Sequence, residues 1–323
     1  MGVIQTVLGP IAPDELGPTQ THEHVICDQR EAPRSRLDMN TVEVDKTYMI
    51  LDDYQRQVKE VRDYYAQGGR GLVEVTTSGW GRDVEQLARV SQDTGVHIVA
   101  CGGFYIEPCL PTEVDEWSIE EITKWLVREI TEGVGDTGIR VGLLKSGIYR
   151  SRIEGPELKG LRAVARASVK TGAAITTHTT GSRRYEIPGG NMGRQHLRIL
   201  KEEGVSPDRL IVGHIDERPD VNFLSDLAAE GCYIQFDTIG KPRWMRDETR
   251  VALMRELIRR GHLDRILMST DRCRKAELYK EMGGLGYTHI FESFVGTMRR
   301  GGMAQGEIDT ILTDNPARAL TMR

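Results

Sequence analysis

The chain has 323 residues, a formal net charge of −5 at pH 7 and a pI near 6.0. Two domains would fit this length, but (β/α)8 barrels often reach it as one, and we predict a single domain over residues 1–323. The acidic balance gives no electrostatic footprint for nucleic acid. No run of about 18 apolar residues and no signal region occur, so we expect a cytoplasmic protein without a membrane partner.

The cysteine content argues against a structural metal site or a disulfide framework. Five cysteines lie at positions 27, 101, 109, 232 and 273. Their number is odd and no C-x-x-C spacing occurs, so we predict free thiols in a reducing compartment.

The first chemical signal is a pair of histidines near the N-terminus. His22 and His24 lie two positions apart within the stretch 19–25, which follows a Gly-Pro turn. In a strand, residues two apart point to the same face. Two neutral imidazoles on one face can bind one divalent cation, so this pair is a candidate metal site.

Eight short apolar runs, bounded by glycine, proline or polar residues, predict strands. They cover residues 18–24, 71–76, 97–104, 140–145, 173–178, 210–214, 232–237 and 265–271. Helical patterns separate them, for example over 52–67, 155–171 and 247–260. This alternation predicts a parallel sheet, and eight units fit an α/β (β/α)8 TIM barrel, with an open doubly wound sheet as the alternative. No G-x-G-x-x-G follows the first strand, which weakens a dinucleotide-binding hypothesis.

The two ends of the chain carry turn signals. Gly-Pro pairs at residues 9–10 and 17–18 predict a short N-terminal hairpin that covers one barrel mouth. Residues 313–316 predict a turn that caps a short final helix. No low-complexity linker separates two halves, which supports one domain.

Polar residues cluster at the predicted C-terminal ends of the strands, where TIM barrels carry their chemistry. They are His22, His24, Glu74, Tyr105, Lys145, His178, His214, Asp237 and Asp271. The histidines supply nitrogens and Asp271 a carboxylate for two divalent ions, and Asp271 could also take a proton from the attacking water. A protonated Lys145 is unfavourable there, so it is either modified or turned away, for example in an ion pair with Glu74 or Asp237.

The other four histidines carry no such signal. His97 begins its predicted strand and should lie at the opposite face of the barrel. His196, His262 and His289 fall on predicted helices or at their ends, and we expect them to face solvent.

The predicted ligand set resembles that of the phosphotriesterase family in the amidohydrolase superfamily. The matching segments are residues 4–9, 16–17, 21–24, 212–216, 235–240 and 314–316. The resemblance implies two divalent ions, with zinc first and manganese, cobalt or iron as alternatives, bridged by Lys145 after its carboxylation by CO₂. Segments 235–240 and 283–287 are similar to the phosphotriesterase homology subgroup, which places glutamate at the bridge where this chain has lysine. The resemblance also implies a homodimer.

The implied chemistry predicts that the protein is a hydrolase but does not identify the type of bond that it cleaves. Our first hypothesis is a small-molecule hydrolase in which a hydroxide bridging both ions attacks a lactone or related carboxylic ester, with promiscuous phosphotriesterase activity. The alternatives are an amidase acting on an N-acyl amino acid-like compound, a phosphotriesterase proper, and a metal-bearing binding protein. Tyr105 resembles the tyrosine that lactonases of this family place beside the metals, where it could orient the lactone ring oxygen.

Basic residues in the predicted loops indicate the charge of the substrate's tail, which is the part away from the reacting bond. Arg218, Lys241 and Arg274 resemble positions that bind phosphate in family members hydrolysing phosphorylated sugar lactones. Arg272 lies in the same loop as Arg274 and adds a further guanidinium. We therefore predict an anionic substrate, with pairing to nearby acidic residues as the alternative role of these cations.

Overall fold

A computed structural model describes residues 2–32, 49–148, 152–179, 192–217 and 220–323. The strands are β1 (Ile4–Thr6), β2 (Gly9–Ile11), β3 (Thr19–Glu23), β4 (Cys27–Asp28), β5 (Ile50–Leu51), β6 (Gly71–Glu74), β7 (His97–Phe104), β8 (Leu143–Gly147), β9 (Ala174–His178), β10 (Leu210–Val212), β11 (Tyr233–Phe236) and β12 (Ile266–Met268). Eight of them, β3 and β6 to β12, form the central sheet.

Helices alternate with the strands of this sheet. They are α1 (Tyr54–Ala66), α2 (Val84–Thr94), α3 (Glu113–Glu116), α4 (Ile119–Thr131), α5 (Gly155–Thr171), α6 (Met192–Glu202), α7 (Val221–Ala229), α8 (Asp247–Arg259), α9 (Lys275–Leu278), α10 (Val295–Arg300), α11 (Gln305–Asp309) and α12 (Asn315–Leu320). Within the described ranges, no helix is both long and apolar enough to cross a membrane.

The central sheet closes on itself. Its strands follow one another in chain order, and every neighbouring pair is parallel. At the seam between β12 and β3, the His22 N–H donates to Ser269 Oγ (2.9 Å) and the Asp271 N–H donates to the His22 carbonyl (3.2 Å). The (β/α)8 TIM barrel is therefore confirmed. The open doubly wound alternative is wrong, since that fold reverses its strand order.

Alternation along the strands divides the apolar residues into two cores. Val73 and Val99 pack inside the barrel with Ile4 of β1, whereas Leu72 and Ile98 join the layer between sheet and helices. This period of two is what a strand buried on both faces requires. The antiparallel β1–β2 hairpin closes the N-terminal mouth, as predicted, and leaves the opposite mouth for the site.

Helix boundaries follow ordinary capping chemistry. Asp53 accepts a hydrogen bond from the Arg56 N–H (3.1 Å) and so begins α1, a contact that contributes about 1 kcal/mol. Pro156 lies in the first turn of α5, and Gly172 ends that helix with a left-handed φ of 74°. Both of these α5 boundaries agree with the prediction.

The predicted turn at residues 313–316 is wrong. Helical structure runs without a break from α11 through the wider, π-type turn Thr310–Asp314 into α12. Pro316 has no N–H and its ring crowds the preceding helical turn, so a wider turn lets the helix continue. The Asn315 amide donates to the Ile266 carbonyl (2.8 Å) and anchors this helix at β12.

The structure also tests the predictions for the cysteines and for the histidines on helices. All five cysteines are free thiols, as predicted, and all five are buried. His196 is fully buried on α6, which packs against α5, so the prediction that it faces solvent is wrong. His262 and His289 are half-buried, with Nε2 atoms 2.9 Å from Ser225 Oγ and 3.2 Å from Asp247 Oδ2. A single histidine in a helix does not show which face it occupies.

Candidate active site

The predicted metal ligands meet at the C-terminal mouth of the barrel. They come from three strands (β3, β8 and β9) and from the residues just after β3, β10 and β12, and all line one cavity of about 110 Å³. They are His22, His24, Lys145, His178, His214 and Asp271. Residues far apart along the chain are thus brought together by the closure of the sheet.

Among the described residues, two groups of ligand atoms lie close enough to hold a metal ion. His22, His24 and Asp271 form one group, and His22, His214 and Asp237 form the other. The Asp271 Oδ1 atom lies 3.5 Å from His24 Nε2 and 3.8 Å from His22 Nε2. His22 belongs to both groups, so it stands at the centre of the site.

The orientation of His22 fits a metal ligand. Its Nδ1 lies 3.1 Å from Asp237 Oδ2 and 3.2 Å from Gln235 Oε1. Its Nε2 is buried and has no hydrogen-bond partner among the described residues. The Nδ1 atom of His24 is likewise engaged, 2.7 Å from Thr76 Oγ1. With their Nδ1 atoms held in this way, both rings turn Nε2 toward Asp271.

Asp237 orients two histidines at once. Its Oδ1 lies 2.8 Å from His214 Nδ1, and both of its oxygens accept the His214 N–H at 3.0 Å. Burial alone would raise the pKa of Asp237, but the neighbouring His214 and His22 rings hold it well below its usual range. Burial would also lower the pKa of His214, but the Asp237 charge raises it to about 9.

His178 and Tyr105 line the cavity beside His214. His178 Nδ1 lies 2.8 Å from His214 Nε2, a separation that needs a proton or a cation between the two nitrogens. Burial lowers the pKa of His178 well below its usual value, so this ring is neutral. The Tyr105 hydroxyl lies 3.5 Å from His178 Nε2, and its ring stacks on Trp80 at 4.7 Å.

Lys145 is fully buried on β8 and faces the cavity. Its Nζ donates to the Val75 carbonyl (2.9 Å) and lies 5.0 Å from the centre of the Tyr105 ring. Burial lowers the pKa of this amine. The Glu74 carboxylate accepts hydrogen bonds from two backbone N–H groups, and the Asp237 carboxylate is hydrogen-bonded to His214. The described residues thus give no support to an ion pair of Lys145 with either carboxylate.

Two of the predicted ligands have a strained backbone. His214 (φ 53°) and Asp271 (φ 49°) are the non-glycine residues with positive φ in the described part of the chain. This conformation costs on the order of 1–3 kcal/mol and persists only where its surroundings enforce it. Glu23 enforces it at Asp271, because its carboxylate accepts the N–H groups of Thr270 (2.6 Å), Asp271 (3.2 Å) and Arg272 (2.9 Å).

The predicted anion-binding residues have three different outcomes. Lys241 lines the cavity, but its ammonium is paired with Asp271 Oδ2 (2.7 Å) and Glu277 Oε2 (3.2 Å). Burial would lower the pKa of Lys241, but the Asp271 charge raises it above its usual range. Arg274 is half-buried and lines the cavity. Arg218 lies outside the described residues.

Arg272 does not point at the substrate cavity, so its predicted role is wrong. Its buried guanidinium donates to the carbonyls of Ile239 (3.2 Å) and Gly286 (3.4 Å). Ile239 lies in the loop that follows β11, whereas Gly286 lies in the segment that follows β12. Arg272 therefore ties these loops together.

The sequence prediction missed several residues that line the cavity. They are Met49, Trp80, Glu217, Arg243 and Cys273. Glu217 and Cys273 lie within three residues of a predicted ligand, which is a signal that could have found them. Met49 lies directly before β5, and no sequence feature marks it as part of the site.

Comparisons with known proteins agree with this geometry. Residues 2–320 match the Phosphotriesterase family. The phosphotriesterase homology protein of Escherichia coli is 32% identical over 306 residues, which are 94% of this chain and 98% of that protein. N-acetyltaurine hydrolase of Rattus norvegicus is 31% identical over 354 residues, covering 100% of this chain and 99% of that protein.

Solved structures give the same result. A lactonase from Listeria monocytogenes is 28% identical and superposes with a TM-score of 0.88 over 99% of both chains. The Escherichia coli protein, complexed with phosphate in its active site, is 31% identical and superposes with a TM-score of 0.85 over 95% of this chain and 100% of that chain. The chain therefore belongs to the phosphotriesterase family and is, as the sequence predicts, a hydrolase.

Proposed function

We propose that the protein is a dinuclear metal-dependent hydrolase that opens a lactone or a related carboxylic ester. One observation carries the metal site: His22 Nε2 is buried without a hydrogen-bond partner among the described residues, while Asp237 and Gln235 occupy Nδ1. A buried polar atom left unpaired costs free energy. With His24 and Asp271 beside it, a divalent cation is the ligand that fits.

Six side chains would hold the two ions. His22, His24 and Asp271 would hold one ion, and His178 and His214 the other, with carboxylated Lys145 between them. Burial lowers the pKa of Lys145, which increases the share of neutral amine that can react with CO₂. Nitrogen and oxygen ligands of this kind suit zinc, and also manganese, cobalt or iron.

The residues of the chain would then serve acyl transfer in defined ways. When bound, the ions activate a water molecule as nucleophile and polarise the scissile carbonyl group. Burial alone would raise the pKa of Asp271, but Lys241 holds it well below its usual range, so Asp271 is a carboxylate that can accept a proton. Burial raises the pKa of Tyr105 well above its usual value, so its hydroxyl stays protonated and can donate to a lactone ring oxygen.

The rim of the cavity favours an anionic substrate tail, such as that of a phosphorylated sugar lactone. Arg274 and the unpredicted Arg243 line the cavity beside Trp244. Guanidinium groups bind phosphate and carboxylate in a bidentate way. The Lys241 ammonium is paired with Asp271. Lys241 would therefore attract the anionic tail through its charge rather than contact it directly. Phosphate in the active site of the Escherichia coli relative supports an anionic ligand in the corresponding cavity of this chain.

An amide with an anionic tail is the second candidate. The N-acetyltaurine hydrolase of Rattus norvegicus matches the whole chain, and its name describes the hydrolysis of an N-acyl compound that carries a sulfonate. The same activated water could attack an amide carbonyl. Phosphotriesters are electrophiles of the same kind, so we expect weak phosphotriesterase activity as a side reaction, with a phosphotriesterase proper as the remaining alternative.

A substrate panel on the metal-loaded protein tests the proposal. It contains neutral lactones, phosphorylated lactones, N-acyl amino acids, N-acetyltaurine and paraoxon, with zinc, manganese and bicarbonate added. We expect the highest kcat/KM for a lactone with an anionic tail and loss of turnover after chelation. Hydrolysis of amides alone would replace the first candidate by the second. Full turnover after removal of the metal would overturn both.

A further inference from the structure

One buried carboxylate at the cavity has an oxygen without a hydrogen-bond partner among the described residues. Glu217 ends the short helical turn Ile215–Glu217 after β10, lines the cavity and is 3% exposed. Its Oε2 is buried without a hydrogen bond, and no described residue forms an ion pair with it. By contrast, the buried carboxylates of Glu23 and Asp237 each accept several hydrogen bonds.

The position of Glu217 is fixed by its neighbours. Asp216 accepts hydrogen bonds from Arg250 Nε (2.7 Å), the Thr238 hydroxyl (2.8 Å) and the Thr238 N–H (3.2 Å), all of them buried. The Glu217 N–H donates to the His214 carbonyl (3.3 Å). These contacts hold the backbone of the turn beside His214.

Glu217 is also separate from the two groups of close ligand atoms, neither of which includes it. A carboxylate is an acceptor only, so its free oxygen needs a donor. None of the described residues supplies that donor to Oε2, and a bound molecule could supply it from the cavity that Glu217 lines.

We propose that Glu217 is a specificity-determining residue that accepts a hydrogen bond from a donor on the substrate, next to the scissile carbonyl group. The inference rests on the proposed function and narrows its substrate class. The substrate would be an acyl compound with such a donor, either a lactone that carries a ring hydroxyl or an amide with its N–H. A lactone without a donor would leave a buried acceptor unpaired, which is the situation that enzymes discriminate against most strongly.

Matched substrates on the metal-loaded full chain test this inference. One pair is γ-butyrolactone and α-hydroxy-γ-butyrolactone, and the other is an N-acyl amino acid and its N-methylated amide. We expect the wild type to prefer the donor-bearing member of one pair by on the order of 10- to 100-fold in kcat/KM. In Glu217→Leu the preference should fall to about threefold or less, since only the donor-bearing member loses a contact. The pair that responds identifies the donor as hydroxyl or N–H.

Control variants separate recognition from folding. Glu248→Gln removes the same charge from the exposed surface of α8 and should leave the preference unchanged. Glu217→Leu removes an unpaired buried charge, so its Tm should equal or exceed that of the wild type. Glu217→Gln, which keeps the shape and one acceptor oxygen, should show an intermediate preference and serves if the leucine variant does not fold.

Two outcomes would overturn the inference. Equal loss of activity toward both members of a pair, with the preference retained, would assign Glu217 to proton transfer instead. Equal affinity for both members of a pair would also overturn the inference. Calorimetry in an Asp271→Asn background, which lacks turnover, measures this affinity. A protein that hydrolyses neither lactones nor amides would overturn the proposed function, and the calorimetric preference would still decide the role of Glu217.

Discussion

The metal-binding wall of the cavity and its rim are built in opposite ways. At the wall, Glu23 and Asp237 are buried, fully hydrogen-bonded and hold the backbone or rings of predicted ligands. At the rim, the Arg243 side chain is 52% exposed and donates to Glu277 Oε1 (2.8 Å), Arg274 is half-buried, and Glu217 Oε2 has no hydrogen-bond donor among the described residues. Buried polar groups held by several hydrogen bonds preorganise a site, whereas polar groups that remain accessible from the cavity can contact a ligand. The wall therefore fixes the chemistry and the rim selects the substrate.

Substitutions in the wall should have the largest effect on turnover. Asp271→Asn keeps the size of the side chain but removes the charge that accepts a proton and binds the ion, and we expect kcat to fall by roughly 10²–10⁴-fold. His178→Ala removes one predicted ligand and should abolish hydrolysis as well. Steady-state kinetics with saturating zinc measure both effects. Near-native rates in either variant would remove that residue from the mechanism.

Substitutions of the two carboxylates that orient the predicted ligands should weaken metal binding rather than slow the chemical step. Asp237→Asn and Glu23→Gln should each lower metal affinity by about 10- to 100-fold, because they loosen the orientation of His22, His214 or Asp271. Competition with a chelator measures the affinity. Excess metal should restore most of the activity, which a general loss of folding would prevent. Unchanged affinity in both variants would contradict the orienting role.

Much of this contrast could be predicted from the sequence, and part of it could not. His22, His24, His178, His214 and Asp271 stand at strand ends, and the closure of a parallel barrel brings strand ends together. The pairing of Lys241 with Asp271 depends on side-chain conformations at the ends of β11 and β12, which no residue pattern encodes.

The roles of Glu23 and Arg272 were hidden for the same reason. Glu23 belongs to the histidine motif, yet its partners lie on the last strand, across a seam that only the closed barrel creates. Arg272 is surrounded by polar loop residues in the sequence, but in the fold it spans two loops and is buried between their carbonyls. Long-range contacts of this kind decide burial, and burial decides whether a charge can meet a substrate.

Substitutions at the rim should change substrate binding alone. Arg274→Ala should raise KM about tenfold for a phosphorylated lactone and leave a neutral lactone unaffected, since the lost contact is distant from the reacting atoms. Arg246→Ala is the matched control, because this exposed arginine lies in the preceding loop and outside the cavity lining. Equal changes for neutral and anionic lactones would argue against an anion-binding rim.

The smallest expected effect is the pH dependence of the wall. The Asp237 charge raises the pKa of His214 from 6.5 to about 9, against the effect of burial. In the metal-free protein this pair therefore contributes stability that is complete below pH 6.5 and lost as the pH rises toward 9. Protons also compete with metal for the ring, so metal affinity should increase over the same range. Thermal unfolding and metal titration at both ends of this range measure the two trends, and a Tm that rises with pH would contradict the assignment.

The metal stoichiometry of the reconstituted protein tests the central claim most directly. After incubation with zinc and bicarbonate and removal of free metal, elemental analysis should find two ions per chain in the wild type and fewer in a correctly folded His22→Ala variant. One ion or none in the folded wild-type protein, or an unchanged content in the variant, would contradict a dinuclear centre built around His22.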